Sequence, residues 1–116
     1  MERLIAIRGA TTIEVDTKEE IEKCSIELFN EIILKNNIDE NDIVSIQITT
    51  TQDIVSYYPA TALRLNGCKA PLFSSLEPPI KETMNKCIRF LILSYSAFKA
   101  NHIYLKNAIN LKGDTK

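Results

Sequence analysis

The sequence predicts a mixed α/β fold of the α+β kind, with a five-stranded sheet, one long helix and one short helix. Apolar residues recur at helical spacing throughout residues 17–36. Five shorter runs are rich in apolar and β-branched residues and are bounded by polar or turn-forming residues, as strands are. At 116 residues we expect one domain, residues 1–116, with residues 113–116 frayed.

The first third of the chain predicts a strand and then the long helix. Residues 3–8 form an apolar run that Gly9 should end or bend, and residues 11–15 form a second extended piece. Asp16 is the expected helix cap, with Glu19 completing a capping box three residues later. The helix should span residues 17–36 and bury a stripe made of Ile21, Cys24, Leu28, Phe29, Ile32 and Ile33.

The rest of the chain alternates strands with short connections. After a turn at residues 39–42, residues 43–51 predict a strand with Val44, Ile46 and Ile48 on one face. Pro59 opens a short helix over residues 60–66, which Gly67 ends. Three more strands are predicted at residues 71–76, 87–95 and 102–105, with a polar helical turn at residues 81–86. One long helix covers one face of such a sheet, so we expect another subunit to cover the other face.

The composition excludes several classes of protein. A net charge of −1 and 7% aromatic residues give no basis for binding nucleic acid. No apolar run is long enough to cross a membrane, and the start of the chain lacks the pattern of a signal peptide, so we expect a cytoplasmic protein. The three cysteines are far apart and His102 is the single histidine, which predicts no metal site.

Three of the four arginines lie in apolar runs. Arg89 sits within residues 87–93, Arg8 ends the run before Gly9, and Arg64 lies within residues 62–65. A buried guanidinium needs an anionic partner, and its planar fork suits carboxylate or phosphate. Taken together they suggest a pocket for a small molecule with more than one negative charge. Taken singly, a structural salt bridge explains each of them equally well.

Two further residues have both a structural and a functional interpretation. Glu77 stands between a predicted strand and Pro78-Pro79, where it is either a surface residue or an acceptor for a substrate hydroxyl. Tyr104 is either a core tyrosine or a phenol donor to a carboxylate. His102 has no acidic or serine partner nearby, so a catalytic triad is not supported.

Several ordered motifs resemble one enzyme family over residues 5 to about 112. They are Ile7-Arg8-Gly9-Ala10-Thr11-Thr12, Tyr57-Tyr58-Pro59-Ala60 with Arg64 downstream, Glu77, Lys86-Cys87-Ile88-Arg89 and His102-Ile103-Tyr104-Leu105. In this order and spacing they are similar to the chorismate mutases of the short trimeric class, of Bacillus type. The resemblance implies a homotrimeric pseudo-α/β-barrel with active sites between subunits. It also implies the rearrangement of chorismate to prephenate, on the way to phenylalanine and tyrosine, without metal, cofactor or covalent intermediate.

The resemblance also implies a role for each site residue. Arg89 would stabilise the departing ether oxygen, Arg8 would hold a carboxylate, and Glu77 would accept from the ring hydroxyl. These three are the expected catalytic residues. The expected substrate-binding residues are Tyr104, Arg64, Phe73, Ser74, Ser75, Leu76, Tyr58 and Leu111. The chain departs from the family at Thr61, where a lysine is common, and at Ser74, where a cysteine is common.

Two other functions remain open from the residues. One is a non-catalytic trimeric module that binds a small carboxylate and regulates a partner. Such a module would keep Arg8 but has no need for Glu77 and Arg89 together. The other is a different small trimeric α/β enzyme, such as an imine deaminase, whose own signature near the carboxyl terminus is not found here.

Overall fold

The protein, described here from a computed structural model covering residues 2–81 and 84–115, contains one five-stranded mixed sheet. The elements in chain order are β1 (Arg3–Thr12), α1 (Lys18–Asn36), a 3₁₀ turn (Glu40–Asp42), β2 (Ile43–Thr50), α2 (Pro59–Leu65), β3 (Leu72–Leu76), β4 (Cys87–Ser96), β5 (Ile103–Tyr104) and a 3₁₀ helix (Lys106–Thr115). The strand order is β3-β2-β4-β1-β5. β4 is antiparallel to both β1 and β2, while β3 and β5 pair in parallel at the edges. The predicted inventory of strands and α-helices is confirmed.

The core lies between the helices and one face of the sheet. Buried side chains of α1 pack there against alternate residues of the central strands, among them Ile7, Ile46, Ile88 and Ile92. Because successive side chains of a strand point to opposite faces, the intervening residues face the other way. We call that second side the open face. It carries partly exposed apolar side chains from three strands, namely Leu4, Leu91, Leu93, Tyr95 and Phe73.

Gly9 does not end or bend β1, which corrects the prediction. The strand continues to Thr12, and Gly9 pairs with Phe90 of β4. The glycine is needed for close packing instead, because a Cβ atom there would lie 2.4 Å from Cδ1 of Ile32 on α1. The missing side chain therefore lets the long helix approach the sheet.

We expect Gly9→Ala to lower the free energy of unfolding by about 1–3 kcal/mol, because the new methyl group overpacks a filled core. Chemical denaturation measures this loss. Ile32→Val removes the clashing Cδ1 atom, so the double variant should be more stable than Gly9→Ala alone. A Gly9→Ala protein as stable as the parent would show that the contact with α1 is not tight.

The cap of α1 lies one residue later than predicted. Thr17, not Asp16, is the N-cap, and its hydroxyl accepts the Glu20 amide N–H at 3.2 Å. The Glu20 carboxylate accepts the Glu14 amide N–H at 3.1 Å, and this hydrogen bond lowers the pKa of Glu20. Asp16 instead accepts amide N–H groups at residues 55 and 56, which fastens the helix entry to the loop before α2. The helix ends as predicted, at Asn37 in the left-handed conformation.

Two further local predictions are wrong. Val44 is exposed and out of phase with Ile46 and Ile48, because the pairing of β2 with β4 shifts register between Ile43 and Ser45. The described part of residues 81–86 is not helical, while residues 82 and 83 lie outside the described residues. Right-handed helical geometry is excluded at Lys86, whose left-handed backbone (φ 48°) directs its amide N–H to the Asp53 carboxylate at 3.0 Å.

The 3₁₀ helix that follows β5 is not predicted from the sequence. It packs against β1, and its Ala108 is buried there. Lys106 at its start lies 2.9 Å from the Cys24 sulfur and 3.4 Å from the Glu27 carboxylate, which ties it to α1. Fraying of residues 113–116 stays a prediction, since Lys116 lies outside the described residues.

Candidate active site

The register of the sheet aligns one residue from each strand in a row across the open face. Arg89 of β4 stands at the centre, paired with Thr49 on one side and Ala10 on the other. Thr49 in turn pairs with Ser75, and Ala10 pairs with Tyr104. Paired residues point to the same face of a sheet. The predicted residues Arg89, Ser75 and Tyr104 therefore share one row, although they are distant in the sequence.

Glu77 lies beside Arg89 because β3 ends next to β2. Its backbone N–H donates to the Thr50 carbonyl at 2.9 Å, which places the side chain just past the end of the row. The Arg89 Nε atom is 3.0 Å from Glu77 Oε2, and the same oxygen accepts a hydrogen bond from the Thr49 hydroxyl. The two ionic side chains are 40% and 18% exposed, so the ion pair is partly shielded from water.

The ion pair leaves a hydrogen-bond donor of Arg89 without a partner among the described residues. Its Nε atom is buried but makes no aligned hydrogen bond to any described residue, so the 3.0 Å approach to Glu77 is a charge contact rather than an aligned donation. Buried polar groups in proteins nearly always have partners, and an exception calls for an explanation. An arginine with spare donors in a half-open site is arranged to receive another anion.

Arg8 brings a second guanidinium to the same face. It pairs with Leu91, which places it two residues from Ala10 along β1 and diagonal to Arg89. Its side chain is exposed and forms no salt bridge with the described residues. Two like charges on one face repel unless an anion lies between them. The pair is therefore suited to a ligand with negative charge.

His102 supports the backbone of Arg8 rather than any proton transfer. The Arg8 amide N–H donates to His102 Nδ1 at 3.0 Å. Burial, with the nearby Arg8 charge adding to it, lowers the pKa of His102. The neutral ring keeps Nδ1 as an acceptor, in agreement with the absence of a triad role in the sequence analysis.

Tyr104 offers an unused donor in the same row as Arg89, with Ala10 between them. Its hydroxyl oxygen is buried and has no hydrogen-bond partner among the described residues. The ring packs with Met84 and Leu111 around a small cluster that contains Ala10, Cys87 and Ala108. Burial raises the pKa of the Cys87 thiol to about 11, so it is neutral and contributes no competing charge. A buried phenol without a partner is a second group poised for a polar ligand.

The remaining predicted residues lie apart from this cluster. Tyr58, Ser74, Ser75 and Leu76 line a cavity of about 490 Å³ between β3 and the start of α2. Glu77 and Arg89 line a separate cavity of about 320 Å³. Phe73 is 66% exposed on the open face. Arg64 is exposed on α2, lines neither cavity and has no salt-bridge partner in the described part of the chain.

The predicted site residues therefore form two groups on one chain. The first, which we call the charged half-site, contains Arg8, Glu77, Arg89, Tyr104 and Leu111. The second, which we call the apolar half-site, contains Tyr58, Ser74, Ser75 and Leu76, with Phe73 on the same strand β3 and Arg64 on the adjoining helix. Ser75 belongs to the row of Arg89 and also lines the second cavity.

Two residues of the charged half-site were missed in the sequence. Thr49 holds the Glu77 carboxylate, and Cys87 lies beside Arg89. The alternation of β2 could have placed Thr49 on the face opposite the core. Its pairing with Arg89 depends on strand register, which no local pattern reveals.

No described helix is long and apolar enough to cross a membrane. Among residues 2–81 and 84–115, no group of three or more histidine, cysteine, aspartate or glutamate side chains is arranged to hold a metal ion. The described site is thus built of arginine, carboxylate and phenol groups.

Comparisons with known proteins agree with this fold. Residues 4–115 match the family model described as chorismate mutase type I. The chorismate mutase AroH of Thermus thermophilus is 34% identical over 113 residues, which cover 93% of each chain. Its namesake from Bacillus subtilis is 33% identical over 113 residues, covering 93% of this chain and 89% of that protein. A solved chorismate mutase from Clostridium thermocellum superimposes with a TM-score of 0.88 at 34% identity, covering 91% of this chain and 98% of that one.

The fold and the site define a small α+β protein whose arginine, carboxylate and phenol groups suit an anionic ligand. The matched family and relatives then show which enzyme family within that class includes this chain. The chain belongs to the type I chorismate mutase family, and it is an isomerase.

Proposed function

We propose that the chain converts chorismate to prephenate at a site between two copies of itself, within a cytoplasmic homotrimer. The carrying observation is the Arg89–Glu77 pair on the open face, where the Arg89 Nε atom and the Tyr104 hydroxyl have no aligned partner among the described residues. The whole chain, residues 1–116, would form one domain. Neither nucleic acid nor membrane is a proposed partner.

The separation of the two half-sites supports a site shared between subunits. On one chain Tyr58, Ser74, Ser75 and Leu76 line one cavity, Glu77 and Arg89 line another, and Arg64 lines neither. A second copy that covers the exposed apolar side chains of the open face would bring its apolar half-site to the first copy's charged half-site. Clefts between subunits are common places for ligand sites.

The proposed chemistry requires charge placement rather than proton transfer. The rearrangement breaks a C–O bond and forms a C–C bond, while negative charge builds on the departing ether oxygen. Arg89 stabilises that charge with donors already held in place, which lowers the transition state more than the ground state. Arg8 and Tyr104 hold a carboxylate, and Glu77 accepts from the ring hydroxyl. Holding chorismate in its folded conformer removes part of the entropic barrier.

The test combines turnover with assembly. Purified protein should consume chorismate and release prephenate in the absence of added metal or cofactor. Light scattering should give a mass three times that of the 13.1 kDa chain. Binding of chorismate without consumption would favour the regulatory module instead. A monomer with full activity would refute the shared site.

We expect Arg64→Ala mainly to raise KM, by roughly tenfold, because an exposed cation at the pocket mouth attracts the ground state and the transition state alike. Steady-state kinetics with chorismate measure the effect. Lys69→Ala removes another exposed cation and should leave KM unchanged. A fall in kcat at constant KM in Arg64→Ala would contradict this role.

A further inference from the structure

Thr49 makes the single aligned hydrogen bond that the Glu77 carboxylate receives from the described residues. The Thr49 hydroxyl donates to Glu77 Oε2, whereas Arg89 approaches the same oxygen without an aligned N–H. Glu77 itself lies beyond the end of β3 and precedes two prolines. Without Thr49, this carboxylate would be held by charge attraction alone, which has little directional preference.

The donor is rigid because of its position. Thr49 lies on the interior strand β2, paired with Ser75 on one side and with Arg89 on the other. A β-branched side chain on a paired strand has few accessible rotamers. Its hydroxyl is therefore fixed relative to Arg89, the residue proposed to act on the reacting bond.

We infer that Thr49 is a positioning residue, which fixes the Glu77 carboxylate so that Oε2 is occupied and Oε1 is left to accept the substrate hydroxyl. The inference rests on the proposed role of Glu77 and extends it to a residue outside the set expected from the sequence. Both contacts, from Thr49 and from Arg89, fall on Oε2. The other oxygen has no hydrogen-bond partner among the described residues, and the Glu77 side chain lines a cavity together with Arg89.

Three variants test the inference. Thr49→Val keeps the β-branched shape and removes the hydroxyl, so kcat/KM should fall roughly tenfold or more, the value of one hydrogen bond to a charged group. The loss should fall mainly on kcat, because a loosened carboxylate misorients the bound ring. Thr49→Ser keeps the donor and should retain activity within about threefold of the parent. Ser45→Ala removes a hydroxyl from the same strand that has no partner among the described residues, and should leave the kinetics unchanged.

A double-mutant cycle separates positioning from a structural role. If Thr49 acts through Glu77, then Thr49→Val should have little further effect in a Glu77→Ala background. An equal loss of kcat/KM in both backgrounds would overturn the inference, as would a Thr49→Val enzyme with normal kinetics. Thermal unfolding of each variant identifies any loss that comes from an unstable fold.

The same cycle keeps this inference distinct from the proposed function. If Glu77→Ala alone leaves turnover intact, the proposed role of Glu77 fails, and the role of Thr49 fails with it. If Glu77→Ala is impaired but Thr49→Val is not, only the inference about Thr49 fails.

Discussion

Replacing Arg89 with lysine should lower kcat by roughly 10²–10³ while the fold survives, the loss typical of removing one preorganised donor. Lysine keeps the positive charge but loses the planar fork, so it cannot donate to two oxygens held in a fixed plane. In the protein, the guanidinium approaches Glu77 through Nε, and it forms no salt bridge with any other carboxylate among the described residues. A single ammonium group cannot contact Glu77 and also donate to the substrate with the same planar geometry.

Single-turnover and steady-state kinetics with chorismate measure this effect. Arg3→Lys is the matched control, since it makes the same substitution at an exposed arginine of β1 that forms no salt bridge with the described residues. Thermal unfolding should be similar for both variants. Near-normal turnover of Arg89→Lys would remove Arg89 from the role assigned to it.

Removing the Glu77 carboxylate should lower kcat/KM by roughly 10² or more, because the change removes an acceptor and leaves a half-buried cation unpaired. Glu77→Ala deletes both the proposed contact to the substrate hydroxyl and the partner of Arg89. Arg89 would then be free to adopt other rotamers, and its donors would no longer be held in place for the developing charge.

Glu77→Gln separates these two contributions. The amide still accepts a hydrogen bond from a hydroxyl but no longer pairs with Arg89 as an anion. The kcat/KM of Glu77→Gln should therefore lie between the values of the parent and of Glu77→Ala. Glu40→Ala, at an exposed glutamate of the 3₁₀ turn, should leave turnover unchanged. A Glu77→Ala enzyme within threefold of the parent would contradict the assigned role.

Elements with strong periodicity were predictable from the sequence. The apolar stripe of α1 and the long apolar run of β4 each indicate one structure, and both are confirmed. The prediction for Gly9 is wrong because the role of this residue depends on how closely α1 packs against the sheet, which is a tertiary property. Val44 was assigned to the wrong face of β2 because the register shift lies in the pairing of β2 with β4, which is distant in the sequence. The 3₁₀ helix after β5 was missed because its sequence, KNAINLKGDT, is mostly polar and contains a glycine, as loops do.

The candidate site was predictable in kind but not in arrangement. Arginines in apolar runs indicated an anionic ligand, and the family resemblance indicated which residues belong together. The ion pair of Arg89 with Glu77 depends on the order β3-β2-β4, which leaves only strand β2 between the end of β3 and the central strand β4. The same order makes Thr49 the neighbour of both residues. Local sequence contains no information on such neighbours.

The central claim is that the active site is completed between subunits, and complementation of two defective variants tests it most directly. Trimers assembled from equal amounts of Arg89→Lys and Arg64→Ala chains should regain activity, measured with chorismate below its KM. Random mixing should restore about a quarter of the sites, since an intact site needs Arg89 from one chain and Arg64 from its neighbour. Mixed trimers no more active than the average of the two parent variants would show that each site lies within one chain.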